Sequence, residues 1–317
     1  MNETEIINKL KTIVKNPSSL NLNDDVFFDK KNTTVASIDT YNENTHYLDF
    51  NYPDLVIKKA IRSSISDLIS KGINPQYVLI AFSGSKKHFI KKNIEKIIKS
   101  IQQEEKKFNF SLVGGDTTIS KKSSFTICTI GYAKKIIKRD NCSINDDIYI
   151  TGNIGDSSVG LSILKNKIKI SKKLKKYFID KFYKPNLAFG FHRQLLKFAS
   201  SSMDISDGLL VDLKKLIGNK NKGFIVIYNL LPTSNNFNKL VKKKIILPQN
   251  YLYNGDDYQI LFTAKRKFRK RIFKHARRWN QKITIIGNIK NGKGDCLKYN
   301  NKLNKIVNYQ GYIHNFR

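Results

Sequence analysis

Apolar residues recur at helical spacing in several segments of the chain. The clearest segment runs from Pro53 to residue 71, with apolar side chains three and four positions apart and Gly72 directly after its end. Proline at the first helical position and glycine just beyond the last are typical of an α-helix. The same spacing predicts a helix over residues 4–15 and a lysine-rich helix over residues 86–107.

Short β-rich or apolar runs lie between these segments and predict strands. They cover residues 33–39, 77–82, 108–113, 125–132, 148–151, 224–228, 258–263 and 283–286. Further helices are expected near 156–165, 172–182, 187–199, 207–217 and 265–278. Helices and strands alternate in both halves, which predicts an α/β or α+β fold. The pattern changes at a basic connector, so we expect two domains, residues 1–140 and 141–317.

The length of 317 residues, of which 40% are hydrophobic, is enough to bury one or two cores. The longest apolar stretches, such as Tyr77–Phe82, are far too short to span a bilayer, and the residues after Met1 are acidic. Three widely spaced cysteines give no zinc-site spacing. These features predict no membrane partner and a reducing, cytoplasmic location.

The chain is strongly basic, with 58 Lys and Arg against 25 Asp and Glu and a net charge of +33. Such a charge raises the possibility of nucleic-acid binding. However, the lysines are spread along the chain among many Asn and Ile residues, so we interpret them as compositional bias and expect no specific nucleic acid. The densest stretch, Lys265–Arg278, predicts an exposed amphipathic helix on its own domain, with a nucleic-acid or membrane contact as the alternative.

Against this basic background, aspartate is concentrated beside glycine in five short stretches. They are Asn23–Asp25, Ser37–Thr40, Gly114–Thr118, Asp204–Gly208 and Gly255–Tyr258. Each lies where a predicted strand ends or a helix begins, and loops at such positions carry ligand-binding residues on a rigid frame. Carboxylate oxygens are the ligands that Mg²⁺ prefers, and Mg²⁺ commonly binds together with a polyphosphate.

Single stretches have other interpretations. Asp207 is equally suited to cap the following helix. Asp67 lies inside the predicted helix of residues 53–71, where small neighbours leave room for a ligand, so we take it as a metal ligand over a surface residue. Glycines at 114 and 115 offer unhindered N–H groups for phosphate. Gly152–Ser157 is either a phosphate-binding helix start or a packing turn.

Several enzyme classes are excluded by the absence of their motifs. The sequence has no GxxxxGK[ST], no protein-kinase catalytic loop, no G-x-S-x-G elbow and no zinc-protease motif. Phosphoryl transfer that depends on Mg²⁺ remains, because it needs charge neutralisation and alignment more than a protein nucleophile. We therefore expect no covalent catalytic nucleophile.

Taken in order, the motifs resemble the thiamine-monophosphate kinase family of the aminoimidazole ribonucleotide synthetase-like superfamily. The matching motifs cover nearly the whole chain: Asp24-Asp25, SxDT at 37–40 followed by His46, SDLxxxGxxP at 66–75, GGDTT at 114–118, Arg139 before DxYxTG at 147–152, GDSxxGL at 155–161, DISDGL at 204–209, GDDYxxxF at 255–262 and a terminal Gly311-Tyr312. The resemblance implies ATP-dependent transfer of the γ-phosphoryl group directly onto thiamine monophosphate, which gives thiamine diphosphate and ADP. It also implies a homodimer whose amino-terminal domains pair strands into a β-barrel, beside a carboxy-terminal α/β domain.

The resemblance also implies roles for individual positions. Several Mg²⁺ ions would be held by Asp25, Ser37, the Ile38 backbone, Asp39, Asp67, Asp116, Asp204 and Asp207. ATP would be bound by Gly115, Asp116, Arg139 and Ser206. Thiamine monophosphate would be bound by His46, Asp256 and Tyr312.

Some positions depart from the family pattern. Asn23 replaces the usual Gly, Ile38 a Thr, Ser64 an Asn and Asp256 a Glu. His46 has the alternative of capping a loop and Tyr312 that of a core aromatic, while Arg139 lies in a basic run where the match can be one residue off. A superfamily member with another phosphate acceptor, and a basic nucleic-acid-binding protein that kept an ATP-binding frame, remain the competing hypotheses. Selenophosphate synthetase is disfavoured, because no cysteine precedes Cys128.

Overall fold

The computed structural model describes residues 2–218, 221–307, 309 and 311–312, and its first half is built on a five-stranded sheet. The strands are β1 (Phe27–Asp29), β2 (Thr34–Asn42), β3 (Tyr77–Gly84), β4 (Ser111–Ile119) and β5 (Ser124–Tyr132). Their order is β1-β2-β5-β3-β4, in which only β3 and β4 run parallel. β1 and β4 are the edges, so within the described part of the chain this sheet is open and does not close into a barrel.

The second half is built on a seven-stranded sheet. Its strands are β6 (Asp147–Thr151), β7 (Ala199–Asp204), β8 (Lys222–Ile227), β9 (Ile260–Ala264), β10 (Ile283–Asn291), β11 (Cys296–Tyr299) and β12 (Lys302–Lys305). Their order is β12-β11-β8-β10-β6-β9-β7, with β8 and β11 parallel and the other neighbours antiparallel. The two mixed sheets confirm the predicted α/β class.

Eight α-helices accompany the sheets in the described residues. They are α1 (Glu3–Leu10), α2 (Pro53–Ser70), α3 (Lys91–Phe108), α4 (Asp156–Leu164), α5 (Lys172–Tyr183), α6 (Leu209–Ile217), α7 (Asn235–Lys242) and α8 (Arg269–Arg278). None of these helices combines the length and the apolar character that crossing a bilayer requires.

Helix α2 occupies the centre of the molecule. It packs on β2, β5 and α3 in the first half and on α5 and β7 in the second half. Fourteen of its 18 residues are buried, including Lys59 and Arg62. Because two layers cover it, α2 is buried around most of its circumference and is less amphipathic than a helix on one sheet.

The division into two domains at residue 140 stays a prediction. The two sheets fall on either side of this residue. One hydrophobic cluster nevertheless joins the halves, because Ile57 and Ile61 on α2 share a core with Phe182 and Phe262. A second cluster, which includes Ile150 and Leu213, lies wholly in the second half.

Several segments differ from the sequence-based expectation, and the first helix ends at Leu10, earlier than expected. The predicted helix over 187–199 is wrong: Gly190 has a φ of 89°, and the chain forms only a short 3₁₀ helix, Phe191–Lys197, before β7. The lysine-rich helix α3 begins at residue 91, later than expected. Strand β4 continues through Gly114–Thr118, so this motif lies inside an edge strand and not after it.

The basic stretch forms the amphipathic helix that its spacing predicts. Ile272 and Ala276 on α8 are buried against the second half. Arg269 holds the helix to β6 through two bonds to the Asp147 carboxylate, from Nε at 2.6 Å and from Nη2 at 2.7 Å. The helix is thus docked on its own half of the molecule, with its lysines facing solvent.

A buried ion pair joins α2 to α3. We predict that breaking it lowers the stability of the fold more than breaking an exposed ion pair on α3 does. Arg62 donates from Nε at 2.7 Å and from Nη2 at 2.9 Å to the Glu104 carboxylate, and both side chains are at least 94% buried. Glu104→Ala leaves a buried guanidinium unpaired and is expected to lower the free energy of unfolding by about 3–5 kcal/mol. Urea unfolding followed by circular dichroism measures this.

Glu95→Ala is the matched control on the same helix. Glu95 pairs with Lys91 at 4.0 Å, and both side chains are exposed, so its loss is expected to cost less than about 1 kcal/mol. Equal effects of the two substitutions would contradict the greater sensitivity expected of the buried pair.

Candidate active site

Three carboxylates from three separate elements approach one another between the two sheets. Asp39 lies on β2, Asp67 on α2 and Asp204 at the end of β7. Strand β2 is held against α2 because Ser37 Oγ donates to the Ser64 carbonyl oxygen at 3.3 Å. The side chains of Asp39 and Asp67 are partly exposed, and Asp204 is buried.

The proximity of these carboxylates is reflected in their acidity. Burial, followed by the charge of Asp204, raises the pKa of Asp39 to about 7. Burial, Asp39 and Asp204 raise the pKa of Asp67 well above its ordinary value. Burial also raises the pKa of Asp204, which the Ser66 hydroxyl and nearby cations oppose. Like charges in a poorly hydrated space favour the protonated form, so ionising all three carboxyls together is unfavourable unless a cation balances them.

Asp24 and Asp25 lie beside this group and are engaged by cations. Lys71 Nζ is 2.7 Å from Asp24 Oδ1 and 2.7 Å from Asp25 Oδ2. The Arg139 main-chain N–H donates to Asp24 Oδ2 at 3.0 Å, and Arg139 Nε donates to Asp25 Oδ2 at 3.1 Å. Arg139, named from the sequence, is therefore brought to the acidic site.

The loop after β7 is shaped by a carboxylate that was not identified from the sequence. Asp212 Oδ2 accepts hydrogen bonds from the Asp207 N–H at 3.0 Å and the Gly208 N–H at 2.9 Å. Burial, followed by the charge of Asp207, raises the pKa of Asp212 to about 7. The residue that caps α6 is Gly208, so the alternative of Asp207 as helix cap is wrong. The Asp207 side chain instead pairs with Lys215.

A second acidic loop is tied directly to the first. The N–H of Asp256 donates to the Ser206 carbonyl at 2.8 Å, and that of Tyr258 donates to the Ile205 carbonyl at 2.9 Å. A side chain at Gly255 would place its Cβ 1.8 Å from the Ser206 oxygen. This close approach requires glycine at position 255, so the GDDY motif serves to dock one loop on the other.

The donors of the site suit a hard cation. Carboxylates dominate, and the buried Ser64 hydroxyl lies beside Asp39, where it opposes the rise in the pKa of that carboxyl. Within the residues that the structure describes, no three His, Cys, Asp or Glu side chains converge on one point to hold an ion by themselves. This arrangement fits Mg²⁺, which commonly takes one or two carboxylates and completes its shell with water and substrate phosphates.

Known proteins resemble this chain over nearly its whole length. Residues 23–133 match the family model described as AIR synthase related protein, N-terminal domain. The thiamine-monophosphate kinase of Buchnera aphidicola subsp. Schizaphis graminum is 30% identical over 291 residues, which cover 90% of this chain and 88% of that relative. That of Nitrosopumilus maritimus is 29% identical and covers 95% of each.

This chain belongs to the thiamine-monophosphate kinase family. Solved structures support the same fold: the protein described as AaThiL, complexed with AMPPCP and TMP, has a TM-score of 0.86, is 24% identical and covers 99% of this chain and 97% of its own.

One position expected from the family, Asp116, is not brought to the other carboxylates within a single chain. Across the sheet, Asp39 on β2 pairs with Ile127 on β5, Ile127 with Ile80 on β3, and Ile80 with Gly115 on β4. Because neighbouring residues of a strand point to opposite faces, Asp116 lies on the opposite face of the sheet from Asp39. The two strands are also three spacings apart, about 14 Å. Gly115 is required for packing, since its Cβ would lie 1.9 Å from the Ile80 oxygen.

The proposed thiamine-phosphate positions have different environments. His46 Nδ1 accepts from the Asn42 N–H at 2.9 Å, the loop-capping bond of the alternative interpretation. Tyr312 is 49% exposed, so the core-aromatic alternative is wrong. Its N–H donates to the Asp207 carbonyl at 2.8 Å, which brings the end of the family motif to the acidic loop.

Asp256 is paired within the chain. The buried Lys59 Nζ donates to Asp256 Oδ1 at 2.7 Å and lies 3.7 Å from the centroid of the Phe182 ring. Burial lowers the pKa of Lys59, and Asp256 opposes that shift. A cation–π contact and a charge-assisted bond therefore hold the ammonium at one end of the site.

The turn at Gly152–Ser157 is a packing turn and not an open anion site. Asp257 is buried, and its Oδ2 accepts from the Gly155 N–H at 2.8 Å. A carboxylate of the chain thus takes the place that a phosphate would need at the start of α4.

Lys59 and Lys71 were not identified as site residues from the sequence, although the spacing of polar residues along α2 indicates them. Lys59, Ser63, Asp67 and Lys71 recur every four residues, and such spacing aligns side chains on one helix face. Asp67 was identified alone because the neighbouring lysines were attributed to compositional bias. The polar stripe, defined by these four residues, is the part of α2 that faces the site.

Proposed function

We propose that this protein transfers the γ-phosphoryl group of ATP to thiamine monophosphate and releases thiamine diphosphate and ADP. The observation that carries the proposal is that Asp39, Asp67 and Asp204, from three separate elements, lie near enough to act on one another electrostatically in a chain that belongs to this kinase family. AaThiL, whose fold the chain shares over 99% of its length, is described in complex with AMPPCP and TMP. A relative of this fold therefore holds both kinds of substrate.

The proposed Mg²⁺ ligands are first Asp39, Asp67 and Asp204, with Ser37 and the Ile38 backbone beside them. Mg²⁺ held by these residues would neutralise the phosphate charge that develops during transfer. The three carboxylates need such a partner, because their mutual repulsion favours protonation in its absence. Asp25, Asp116 and Asp207 complete the family-based assignment, and they lie farther from this group or are already paired.

The remaining residues bind and orient the two anions. Arg139 provides a planar guanidinium at the site, suited to phosphate oxygens. Gly115, Asp116 and Ser206 are assigned to the nucleotide, and His46, Asp256 and Tyr312 to thiamine monophosphate. In-line transfer needs positioned substrates and no covalent nucleophile of the chain. The three cysteines are free, in agreement with a reducing cytoplasm as the place of action.

The proposed activity is tested by incubating the purified protein with Mg²⁺, ATP and thiamine monophosphate and following ADP and thiamine diphosphate. Asp67→Asn is expected to lower turnover at least about 100-fold. Losing a residue that only supports a metal ligand typically costs up to about 100-fold, and losing the ligand itself should cost more. Asp180→Asn, at a partly exposed position of α5 where Asp180 pairs with Lys184, is the matched control and should keep wild-type turnover. Wild-type turnover of Asp67→Asn would contradict the assignment, and absence of thiamine diphosphate from the native protein would refute the function.

We also propose that two chains pair through their first sheets into a β-barrel. All nine residues of the edge strand β4 are exposed, including Leu112, Val113 and Ile119, and Ile38 is exposed on the uncovered face of the same sheet. A long exposed edge with apolar side chains is a site for pairing with another chain. Pairing there would enclose the face that carries Asp116.

If the protein forms this dimer, sedimentation velocity is expected to give a mass of twice 36.6 kDa, the mass of one chain. Ile119→Asp should shift the protein towards the monomer, because it places a charge in the apolar contact. Ile98→Asp, at an exposed position on α3, is the control and should leave the mass unchanged. A native protein that sediments as a monomer would contradict the proposed barrel.

A further inference from the structure

Lys71, which caps the carboxyl end of α2, has a side chain with no solvent exposure. Its ammonium group has three oxygen partners, each at 2.7 Å: Asp24 Oδ1, Asp25 Oδ2 and the Ser202 carbonyl. An ammonium has three N–H donors, so every donor of this buried cation is used.

Arg139 also contacts the carboxylates of Asp24 and Asp25. Asp24 Oδ2 accepts from the Arg139 main-chain N–H. Asp25 Oδ2 accepts from Arg139 Nε, and Asp25 Oδ1 contacts Arg139 Nη2. All four carboxylate oxygens therefore have N–H partners, and two negative charges face two positive charges.

The neighbouring carboxylates have a contrasting environment. In the described ranges, no lysine or arginine nitrogen lies within 4.0 Å of Asp39, Asp67 or Asp204. Lys71 still acts on them at longer range, since its charge lowers the pKa of Asp67 and Asp204 against the effect of burial. One half of the acidic site is thus neutralised by the chain, and the other half is not.

A divalent ion at Asp24 and Asp25 would have to displace a buried ammonium. The displaced group has nowhere hydrated to go, because Lys71 is enclosed and bound to Ser202 on β7. A buried charge that loses its partners is strongly destabilised. The ammonium and a divalent ion therefore exclude each other at these two carboxylates.

We propose that Lys71 is a resident counter-cation, which takes the place of a divalent ion at Asp24 and Asp25 and confines divalent-ion binding to Asp39, Asp67 and Asp204. The inference rests on the proposed function only in that phosphoryl transfer supplies the need for a divalent ion. It revises the role of Asp25, which becomes the partner of Lys71 and Arg139 and not a metal ligand. Lys71 is a positioning residue, since it holds the Asp24–Asp25 loop on α2 and β7.

The test counts Mn²⁺ ions bound to the purified full-length protein by electron paramagnetic resonance of the free ion. Lys71→Met removes the charge and keeps a similar length, so the variant is expected to bind one Mn²⁺ more than the native protein. Adding Asp25→Asn to this variant should abolish the extra ion. A folded Lys71→Met variant with the native count would overturn the proposal.

A second pair of variants keeps the test decisive if Lys71→Met does not fold. In the native background, Asp25→Asn should leave the Mn²⁺ count unchanged, whereas Asp39→Asn should lower it by at least one. A lower count for Asp25→Asn would overturn the proposal. The Mn²⁺ count uses neither ATP nor thiamine monophosphate. If the protein failed to phosphorylate thiamine monophosphate, the proposed function would be refuted, and the Mn²⁺ count would still test the role of Lys71.

Discussion

The structure depends on how it balances carboxylates that share a confined, partly buried space between its two sheets. Two unit charges 4 Å apart interact several times more strongly near a protein interior than in bulk water. The chain offsets part of this repulsion with Lys71 and Arg139 and leaves Asp39, Asp67 and Asp204 without a close cation. We propose that a site arranged in this way attracts a divalent ion where its own cations are missing, and that the phosphates of a nucleotide would bring further oxygens to that ion.

Helix α2 carries both core residues and charged residues of the site, so it links the packing of the fold to the balance of charge. Its apolar side chains enter the core shared by both halves, and its polar stripe of Lys59, Ser63, Asp67 and Lys71 faces the site. One end of the stripe is bound to the loop of Asp256 and the other to the loop of Asp24 and Asp25. The helix therefore sets the separation of the proposed substrate and metal regions, in a core where small changes of volume are felt.

Local patterns of the sequence predicted the elements whose spacing is regular. Helix α2, strand β5 and the strand that carries Asp39 followed from periodicity and from proline and glycine positions. The strand that ends at Asp204 was not predicted as a strand. The predicted helix over 187–199 failed because Gly190 takes a left-handed conformation and the buried residues that follow are held in a 3₁₀ helix. The two strands at residues 296–305 and the short strand Phe27–Asp29 were missed, since their runs are too short to show a period.

The contacts that build the site were beyond sequence reasoning, because they join distant residues. Lys71 meets Asp24 across 47 positions and Lys59 meets Asp256 across 197. Neither pairing leaves a local pattern, and in a chain with 58 basic residues a functional lysine resembles its neighbours. The aspartates were identified because acids are scarce in this chain, and the same scarcity gave no information about which cations would face them.

Divalent ions at Asp39, Asp67 and Asp204 are proposed to bring a nucleotide to these carboxylates. Crystals of the protein grown with Mn²⁺ and AMPPCP, with diffraction recorded at the manganese absorption edge, would show this binding directly. Anomalous peaks are expected within coordination distance of these three carboxylates and of the phosphate oxygens. Peaks confined to other parts of the molecule, with Asp39, Asp67 and Asp204 bound to no metal, would contradict the proposed site.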